Sequence, residues 1–213
     1  YTMQEEGVDL IELGVPFSDP AADGPVIQRA DERALAQGVD IFKVFELVRK
    51  IRNNVEVPMV FLLYYNVMVQ YGIEKFFKRC QETGVDGLII PDLPYEESDE
   101  IKEYTEKYGV YQISLVSPTS KDRIKNIAKD AKGFLYCISS LGVTGEKSPF
   151  VTNFDEFVGT IKKYTDVPAC VGFGVSNGRQ VKELTKYFDG AIVGSAIVKS
   201  IATGEGVEER INN

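Results

Sequence analysis

The sequence of 213 residues contains no histidine and no tryptophan. The absence of histidine excludes Ser-His and Cys-His nucleophile systems and metal sites built on imidazole. The three cysteines, Cys80, Cys137 and Cys170, are odd in number and far apart, and no Cys-x-x-Cys pair occurs. The sequence therefore predicts neither a metal site nor a dithiol redox site. Proton transfer near neutral pH has to use carboxylates, Tyr, Lys or Cys.

Positive charge and long apolar runs are also scarce. The net charge of −8 argues against a nucleic-acid partner, because phosphate backbones attract clustered Lys and Arg. No apolar run approaches the length of a membrane span, and no signal peptide precedes the first predicted strand. These absences predict a cytoplasmic protein with no membrane partner. A hydrophobic content of 44% is typical of a globular protein, and the length favours one domain over residues 1–213.

The chain alternates short apolar runs with longer amphipathic ones, which is typical of an α/β protein with strands buried in a parallel sheet. The predicted strands are Val8–Leu13, Met59–Tyr64, Gly87–Pro91, Tyr111–Val116, Gly133–Ser139, Ala169–Phe173 and Gly190–Val193. The predicted helices are Ile41–Asn53, Ile73–Thr83, Glu96–Tyr108, Lys121–Lys129, Phe154–Tyr164 and Gly178–Phe188. Two architectures fit this alternation, the closed TIM (β/α)8 barrel and the doubly wound open sheet.

The end of the chain favours the barrel. No GxGxxG or GxxxxGK[ST] motif follows the first strand, which argues against a nucleotide-binding open sheet. Phosphate-binding barrels hold their anion in the loops after strands seven and eight. Here Phe173 and Gly174 end one strand, Gly194 and Ser195 end the next, and Ser195 is placed to cap a helical turn over Ala196–Ser200. We therefore predict a phosphate site at these four residues.

Only seven strands are visible, whereas the barrel has eight. If the last two are strands seven and eight, the first strand is missing from this chain and Tyr1–Gly7 is the tail of the first helix. The alternative is that one strand has been missed or miscounted.

Glu12 stands out as an acid near the carboxyl end of the first apolar run, Val8–Leu13. Catalytic groups of barrels lie at this end of the strands. Burial raises the pKa of a carboxyl group toward the range that is useful for proton transfer at neutral pH. The alternative is a structural ion pair, but no basic residue lies nearby in the sequence.

The loop Pro16–Pro25 follows Glu12 and carries two further acids, Asp19 and Asp23. Asp19 precedes Pro20 and could simply form a turn. Asp23 is flanked by small residues that permit close approach of a substrate. The spacing alone scarcely separates the two.

The run ELGVPFSDPAADGP at Glu12–Pro25 resembles the signature of the tryptophan synthase α chain family. The resemblance covers nearly the whole chain. It continues through YYN at Tyr64–Asn66, PDLP at Pro91–Pro94, LVSPTS at Leu115–Ser120, GVTG at Gly142–Gly145, GFGVS at Gly172–Ser176 and VGSAIV at Val193–Val198.

The resemblance implies a retro-aldol cleavage of indole-3-glycerol phosphate to indole and glyceraldehyde 3-phosphate, a lyase reaction of L-tryptophan biosynthesis. It implies that the two catalytic carboxylates are Glu12, as proton donor and acceptor, and Asp23, as the group that binds the indole N–H. It thereby selects Asp23 over Asp19.

Further site residues follow from the resemblance alone. Tyr136 would lie near the catalytic Glu12, although core packing is the ordinary reading of an aromatic residue in a strand. Thr144 would contact Asp23 and Gly145 the phosphate from a lid over 140–150, and Tyr64 and Asp92 would lie near the indole side and a partner interface. Ser140 departs from the arginine found at the matching position of a family member, so the resemblance does not extend to the ion pairing of the lid.

The resemblance also implies a partner and a cofactor. The chain would bind a tryptophan synthase β subunit in an α2β2 heterotetramer, docking through Pro16–Pro25 and Tyr95–Glu100. Pyridoxal phosphate would be bound by the β subunit, with no cofactor in this chain. Two other interpretations are another phosphate-sugar barrel enzyme, which normally relies on His, metal or Lys, and a catalytically silent barrel that acts as an allosteric partner.

Overall fold

Two compact units, Tyr1–Gln112 and Ile113–Asn213, make up the chain. The computed structural model describes residues 1–138, 153–172 and 174–203. The lid residues Ser140, Thr144 and Gly145 and the strand-end residue Phe173 lie outside the described residues.

The first unit has a four-stranded parallel sheet in the order β1-β2-β3-β4. Its strands are β1 (Ile11–Gly14), β2 (Met59–Leu62), β3 (Gly87–Ile89) and β4 (Tyr111–Gln112), and its helices are α1 (Thr2–Glu5), α2 (Pro25–Ala36), α3 (Ile41–Ile51), α4 (Tyr65–Tyr71), α5 (Ile73–Thr83) and α6 (Asp99–Tyr108). Gly14 pairs with Leu62 and Leu62 with Ile89, so these three strands end at the same edge of the sheet.

Aromatic packing dominates the core of the first unit. Phe45 of α3, Phe61 of β2 and Phe76 of α5 are fully buried, and Phe45 lies 5.4 Å and 5.3 Å from the other two ring centroids. Ile41, Val44, Phe45 and Val48 recur at helical spacing and form the buried face of α3. Burial of these rings stabilises the packing of α3 against β2 and α5.

The second unit also has a parallel sheet, in the order β5-β6-β7-β8. Its strands are β5 (Ser114–Val116), β6 (Leu135–Ile138), β7 (Ala169–Gly172) and β8 (Gly190–Ala191), and its helices are α7 (Ile124–Asp130), α8 (Phe154–Lys162), α9 (Gly178–Leu184) and α10 (Ser195–Thr203). Along the chain, α7 lies between β5 and β6, α8 between β6 and β7, and α9 between β7 and β8.

One aspartate clamp occurs in each unit. Asp86, just before β3, accepts hydrogen bonds from the backbone N–H of Met59 (2.8 Å) and from the guanidinium of Arg52. Asp189, just before β8, accepts from the N–H of Ala169 (2.7 Å) and from Lys162 Nζ (2.6 Å). Each aspartate therefore links the start of its own strand to the start of the preceding strand. It also binds a basic side chain at the C-terminal end of the helix that comes before that preceding strand.

The structure differs from the sequence-based prediction in three places. The run Tyr111–Val116, predicted as one strand, forms β4 and β5, which pair in different sheets on either side of Ile113. Helices α2 and α4 are absent from the sequence-based prediction, in which Pro25 ends a loop and Tyr64 ends a strand. Helix α10 begins at Ser195 itself, so Gly194 rather than Ser195 precedes its first turn.

Candidate active site

Glu12 lies in the middle of β1, paired with Val60 of β2, with a half-buried side chain. Burial raises the pKa of its carboxyl group, the negative charge of Asp23 raises it further, and the result is about 7. A carboxyl group with this pKa is present in both protonation states at neutral pH, as a group that gives and takes protons must be.

Asp23 lies two residues before α2 and is held by Tyr64, the last residue before α4. Tyr64 Oη donates a hydrogen bond to Asp23 Oδ2 (2.8 Å) and accepts one from the N–H of Ala22 (2.9 Å). Burial raises the pKa of Asp23, and the Tyr64 hydrogen bond opposes that rise. Asp19, its rival in the sequence, is exposed, and its carboxylate accepts a hydrogen bond from the neighbouring Ser18 hydroxyl (2.7 Å).

Phe17 supports Tyr64 and was not singled out in the sequence. Its ring stacks on that of Tyr64, with centroids 5.0 Å apart and planes at 22°. The available signal was an aromatic residue in a loop of otherwise small and polar side chains. The stack fixes the Tyr64 ring, and through it the hydroxyl that binds Asp23.

Asp31 of α2 is a second residue that was missed. Its side chain is half-buried, and burial together with the charge of Asp23 raises the pKa of its carboxyl group to about 6. Glu12, Asp23 and Asp31 therefore form a series of three electrostatically linked carboxyl groups, with Asp23 in the middle.

In the second unit, Tyr136 of β6 lies directly against Gly172 at the end of β7. A Cβ atom at position 172 would come within 2.5 Å of Tyr136 Oη, closer than real Cβ contacts allow. Glycine is therefore required at position 172 for the tyrosine to keep this orientation.

The predicted phosphate residues lie at two loop positions of the same unit. Gly174 follows β7 with φ of +76°, a backbone conformation that residues other than glycine rarely adopt. Gly194 lies just before α10, and its carbonyl accepts from the N–H of Val198 (3.1 Å). The first N–H groups of such a helix have no intrahelical acceptor and can bind an anion.

The predicted partner region is tied to α4 by two hydrogen bonds. The N–H of Tyr65 donates to Asp92 Oδ1 (2.9 Å), and Tyr65 Oη donates to Glu100 Oε2 (2.6 Å). The first bond connects the residue next to Tyr64 with Asp92, and the second connects it with the Tyr95–Glu100 region of the first unit.

Within the described residues, no cluster of three His, Cys, Asp or Glu side chains is arranged to hold a metal ion. The same part of the chain contains no helix that is long and apolar enough to cross a membrane.

The whole chain, residues 1–213, matches the family model described as tryptophan synthase alpha chain. The chain is 50% identical over 202 residues to the tryptophan synthase alpha chain of Alkaliphilus metalliredigens, covering 95% of this chain and 76% of the relative. It is 49% identical over 209 residues to that of a Thermoanaerobacter species, covering 98% and 80%.

Solved structures agree with the family match. The structure is similar to tryptophan synthase subunit alpha from Campylobacter jejuni, with a TM-score of 0.86, 43% identity and coverage of 96% of this chain and 82% of that one. It is also similar to tryptophan synthase from M. tuberculosis, with a TM-score of 0.87, 34% identity and coverage of 99% and 80%. These neighbours are (β/α)8 barrels, so the predicted fold class is confirmed. The chain therefore belongs to the tryptophan synthase α chain family, the lyases that cleave indole-3-glycerol phosphate to indole and glyceraldehyde 3-phosphate in tryptophan biosynthesis.

Proposed function

We propose that Glu12 and Asp23 are the catalytic residues with which this chain cleaves indole-3-glycerol phosphate. The observation that carries the proposal is the pairing of a carboxyl group that titrates at about 7 with a second carboxyl group held by a tyrosine hydroxyl. Proton transfer by one group and charge stabilisation by the other are the two requirements of this retro-aldol reaction.

The reaction begins when protonated Glu12 gives its proton to indole C3, which places a positive charge on the ring nitrogen. Ionised Asp23 accepts a hydrogen bond from that N–H and stabilises the cation. Glu12, now ionised, removes the proton of the adjacent glycerol hydroxyl. The O–H electron pair forms the aldehyde C=O, the C–C bond breaks, and its electrons return to the ring. Glu12 is protonated again when indole leaves.

The other predicted site residues bind the substrate in this proposal. Gly174, Gly194 and Ser195 would bind the phosphate through backbone N–H groups, together with Phe173 and with Gly145 from the lid. Tyr64 and Tyr136 would contact the substrate, and Thr144 would bind Asp23. Their support is the glycine conformation at 174, the start of α10 at Ser195 and the Tyr64–Asp23 hydrogen bond.

Substitution of Glu12 tests the proposal. Glu12→Gln keeps the shape of the side chain but removes proton transfer, so we expect indole release to fall at least a hundredfold while substrate binding changes little. Asp19→Asn is the matched control, because it neutralises an exposed acid of the adjacent loop. Indole release by Glu12→Gln at the parental rate, or equal loss in both variants, contradicts the proposed mechanism.

We further propose a tryptophan synthase β subunit as partner, in an α2β2 heterotetramer with pyridoxal phosphate held by the β subunit and no cofactor in this chain. The support is the similarity to tryptophan synthase of M. tuberculosis, one of whose structures is an aminoacrylate-bound form. Docking through Pro16–Pro25 and Tyr95–Glu100 remains a prediction, as do the cytoplasmic location and the single domain.

A further inference from the structure

Asp31 is an acid in the inward face of α2. The half-buried residues of this helix are Val26, Ile27, Ala30, Asp31 and Ala34. Their spacing of three and four residues defines one stripe, and Asp31 is its only charged member. The other charged residues of the helix, Arg29, Glu32 and Arg33, are exposed. A carboxyl group in an otherwise apolar stripe needs a reason other than solvation.

A side chain one turn before Asp31 contacts Asp23. Gln28, one turn before Asp31, donates a hydrogen bond from Nε2 to the backbone carbonyl of Asp23 (2.9 Å). Helical side chains lean toward the amino-terminal end of their helix, so the Asp31 carboxyl leans toward the same end, where Asp23 lies. The negative charge of Asp23 acts on Asp31, as expected from this placement.

The two carboxyl groups differ in what stabilises their charge. Asp23 accepts a hydrogen bond from the Tyr64 hydroxyl. Within the described part of the chain, no hydrogen-bond donor or cation pairs with the Asp31 carboxyl group. The Tyr64 hydrogen bond opposes the rise in the pKa of Asp23, whereas the charge of Asp23 adds to the rise in the pKa of Asp31. The titratable groups linked to Asp31 are Asp23 and, through Asp23, Glu12 and Tyr64.

We propose that Asp31 is a positioning residue of the reaction, which acts through Asp23 by adding a second negative charge to the field at the indole nitrogen. The inference rests on the proposed roles of Glu12 and Asp23. The added charge favours the cationic intermediate more than the neutral substrate, so it raises kcat and leaves KM little changed. When Asp31 is protonated, this contribution disappears.

The test is the ratio of kcat of the parent chain to that of Asp31→Asn, measured from pH 5 to 8.5. Asn keeps the size and polarity of the side chain but carries no charge at any pH. We expect a ratio near one at pH 5, where Asp31 is protonated in the parent, and a ratio of about three to ten at pH 8. The rise should centre near the Asp31 pKa of about 6. Titrations common to both proteins, including that of the substrate phosphate, cancel in the ratio.

Two control variants separate charge from shape. Glu32→Gln removes the adjacent, exposed carboxylate of the same helix and should give a ratio of one at every pH. Asp31→Glu keeps the charge and should follow the parent. Asp31→Ser is a second neutral variant in case Asp31→Asn does not fold, as judged by its circular dichroism spectrum and thermal melt.

A ratio that does not change with pH overturns the proposal, whether the loss is large or absent, because a merely structural residue acts equally at all pH values. An Asp31→Glu variant as impaired as Asp31→Asn overturns it as well. Titration of the carboxyl ¹³C resonances gives a readout without turnover, since the pKa of Asp31, about 6 in the parent, should fall in Asp23→Asn. A parent chain that releases no indole contradicts the proposed function instead, whereas a flat ratio in an active chain contradicts only the role of Asp31.

Discussion

At the scale of single residues, the ionised Glu12 carboxylate lowers the free energy of unfolding. Its pKa is about 7 in the fold against 4.5 when solvated, so between these pH values the folded chain binds more protons than the unfolded one. Stability then decreases as pH rises through this window. One pKa unit corresponds to about 1.4 kcal/mol, so the full shift is of the order of 3 kcal/mol. This cost is typical of groups whose environment serves catalysis.

Glu12→Gln should therefore stabilise the protein at alkaline pH. We expect its melting temperature to exceed that of the parent at pH 8 and to match it near pH 4.5, because the parental carboxyl group is then protonated and resembles the amide. Melts followed by circular dichroism at the two pH values measure the difference. An equal effect at both would mean that the ionised carboxylate is not the source of the cost.

Tyr64→Phe isolates the hydroxyl that binds Asp23. The stack with Phe17 remains, but Asp23 loses the donor that opposes the rise of its pKa. We expect kcat/KM to fall about tenfold and the acid limb of the pH profile to move to higher pH. Tyr65→Phe is the matched control, because the Tyr65 hydroxyl binds Glu100 instead. Equal pH profiles for the two variants would contradict this role for Tyr64.

Gly172→Ala tests the contact with Tyr136. The new Cβ atom would overlap the phenol ring, so we expect a loss of about 1–3 kcal/mol in the free energy of unfolding. In a Tyr136→Leu background the ring is absent and most of this loss should disappear. The double-mutant cycle is measured by urea denaturation, and additive effects would show that the two residues do not interact.

Individual site residues differed in how far the sequence predicted them. Glu12 was predictable from its position, because an acid in a buried strand of a chain without histidine has few other uses. The spacing of the residues scarcely separates Asp23 from Asp19, and only the family resemblance selects Asp23; in the structure, Tyr64 binds Asp23, whereas Asp19 binds Ser18. The sequence did not indicate a role for Asp31, because α2 was not predicted and its partly buried face was therefore unknown.

At the scale of elements, periodicity predicted α3, which has a strong apolar face, and missed α2. Helix α3 has four buried residues at helical spacing, whereas α2 has none that is fully buried and begins at a proline. The split between β4 and β5 was also missed. The apolar pattern continues through Ile113 while the strand pairing changes, and pairing is a long-range property.

The aspartate clamps are the element-scale feature with the clearest energetic expectation. Asp86→Ala removes the acceptor of the Met59 N–H and leaves Arg52 without its carboxylate. We expect a loss of about 2 kcal/mol in the free energy of unfolding, measured by urea denaturation. Asp166→Ala, which alters an exposed aspartate, should change it by less than about 0.5 kcal/mol. An equally small effect at Asp86 would show that the clamp does not stabilise the sheet.

At the scale of the whole molecule, the expected change on binding a β subunit is a rise in indole-forming activity.

The docking prediction is tested by reversing the charge of one side chain inside the proposed region and of one outside it. Glu97→Lys lies within Tyr95–Glu100 and should weaken the activation, whereas Glu103→Lys, also exposed, should not. Indole formation is titrated with the β subunit in each variant. Equal activation curves would place the interface elsewhere, and no activation of the parent would favour a lyase that acts alone.

The repeated clamp has a consequence for the ancestry of the chain. In both units a Val-Pro dipeptide precedes the strand whose first N–H is bound, and the binding aspartate belongs to an Asp-Gly pair that opens the next strand. The bound residue and its aspartate are 27 positions apart in the first unit and 20 in the second. Separate origins would require an aspartate, a backbone N–H partner and a basic side chain to come together twice in the same arrangement. Duplication of one ancestral half-length gene, followed by a change in the length of the intervening segment, requires them to arise once.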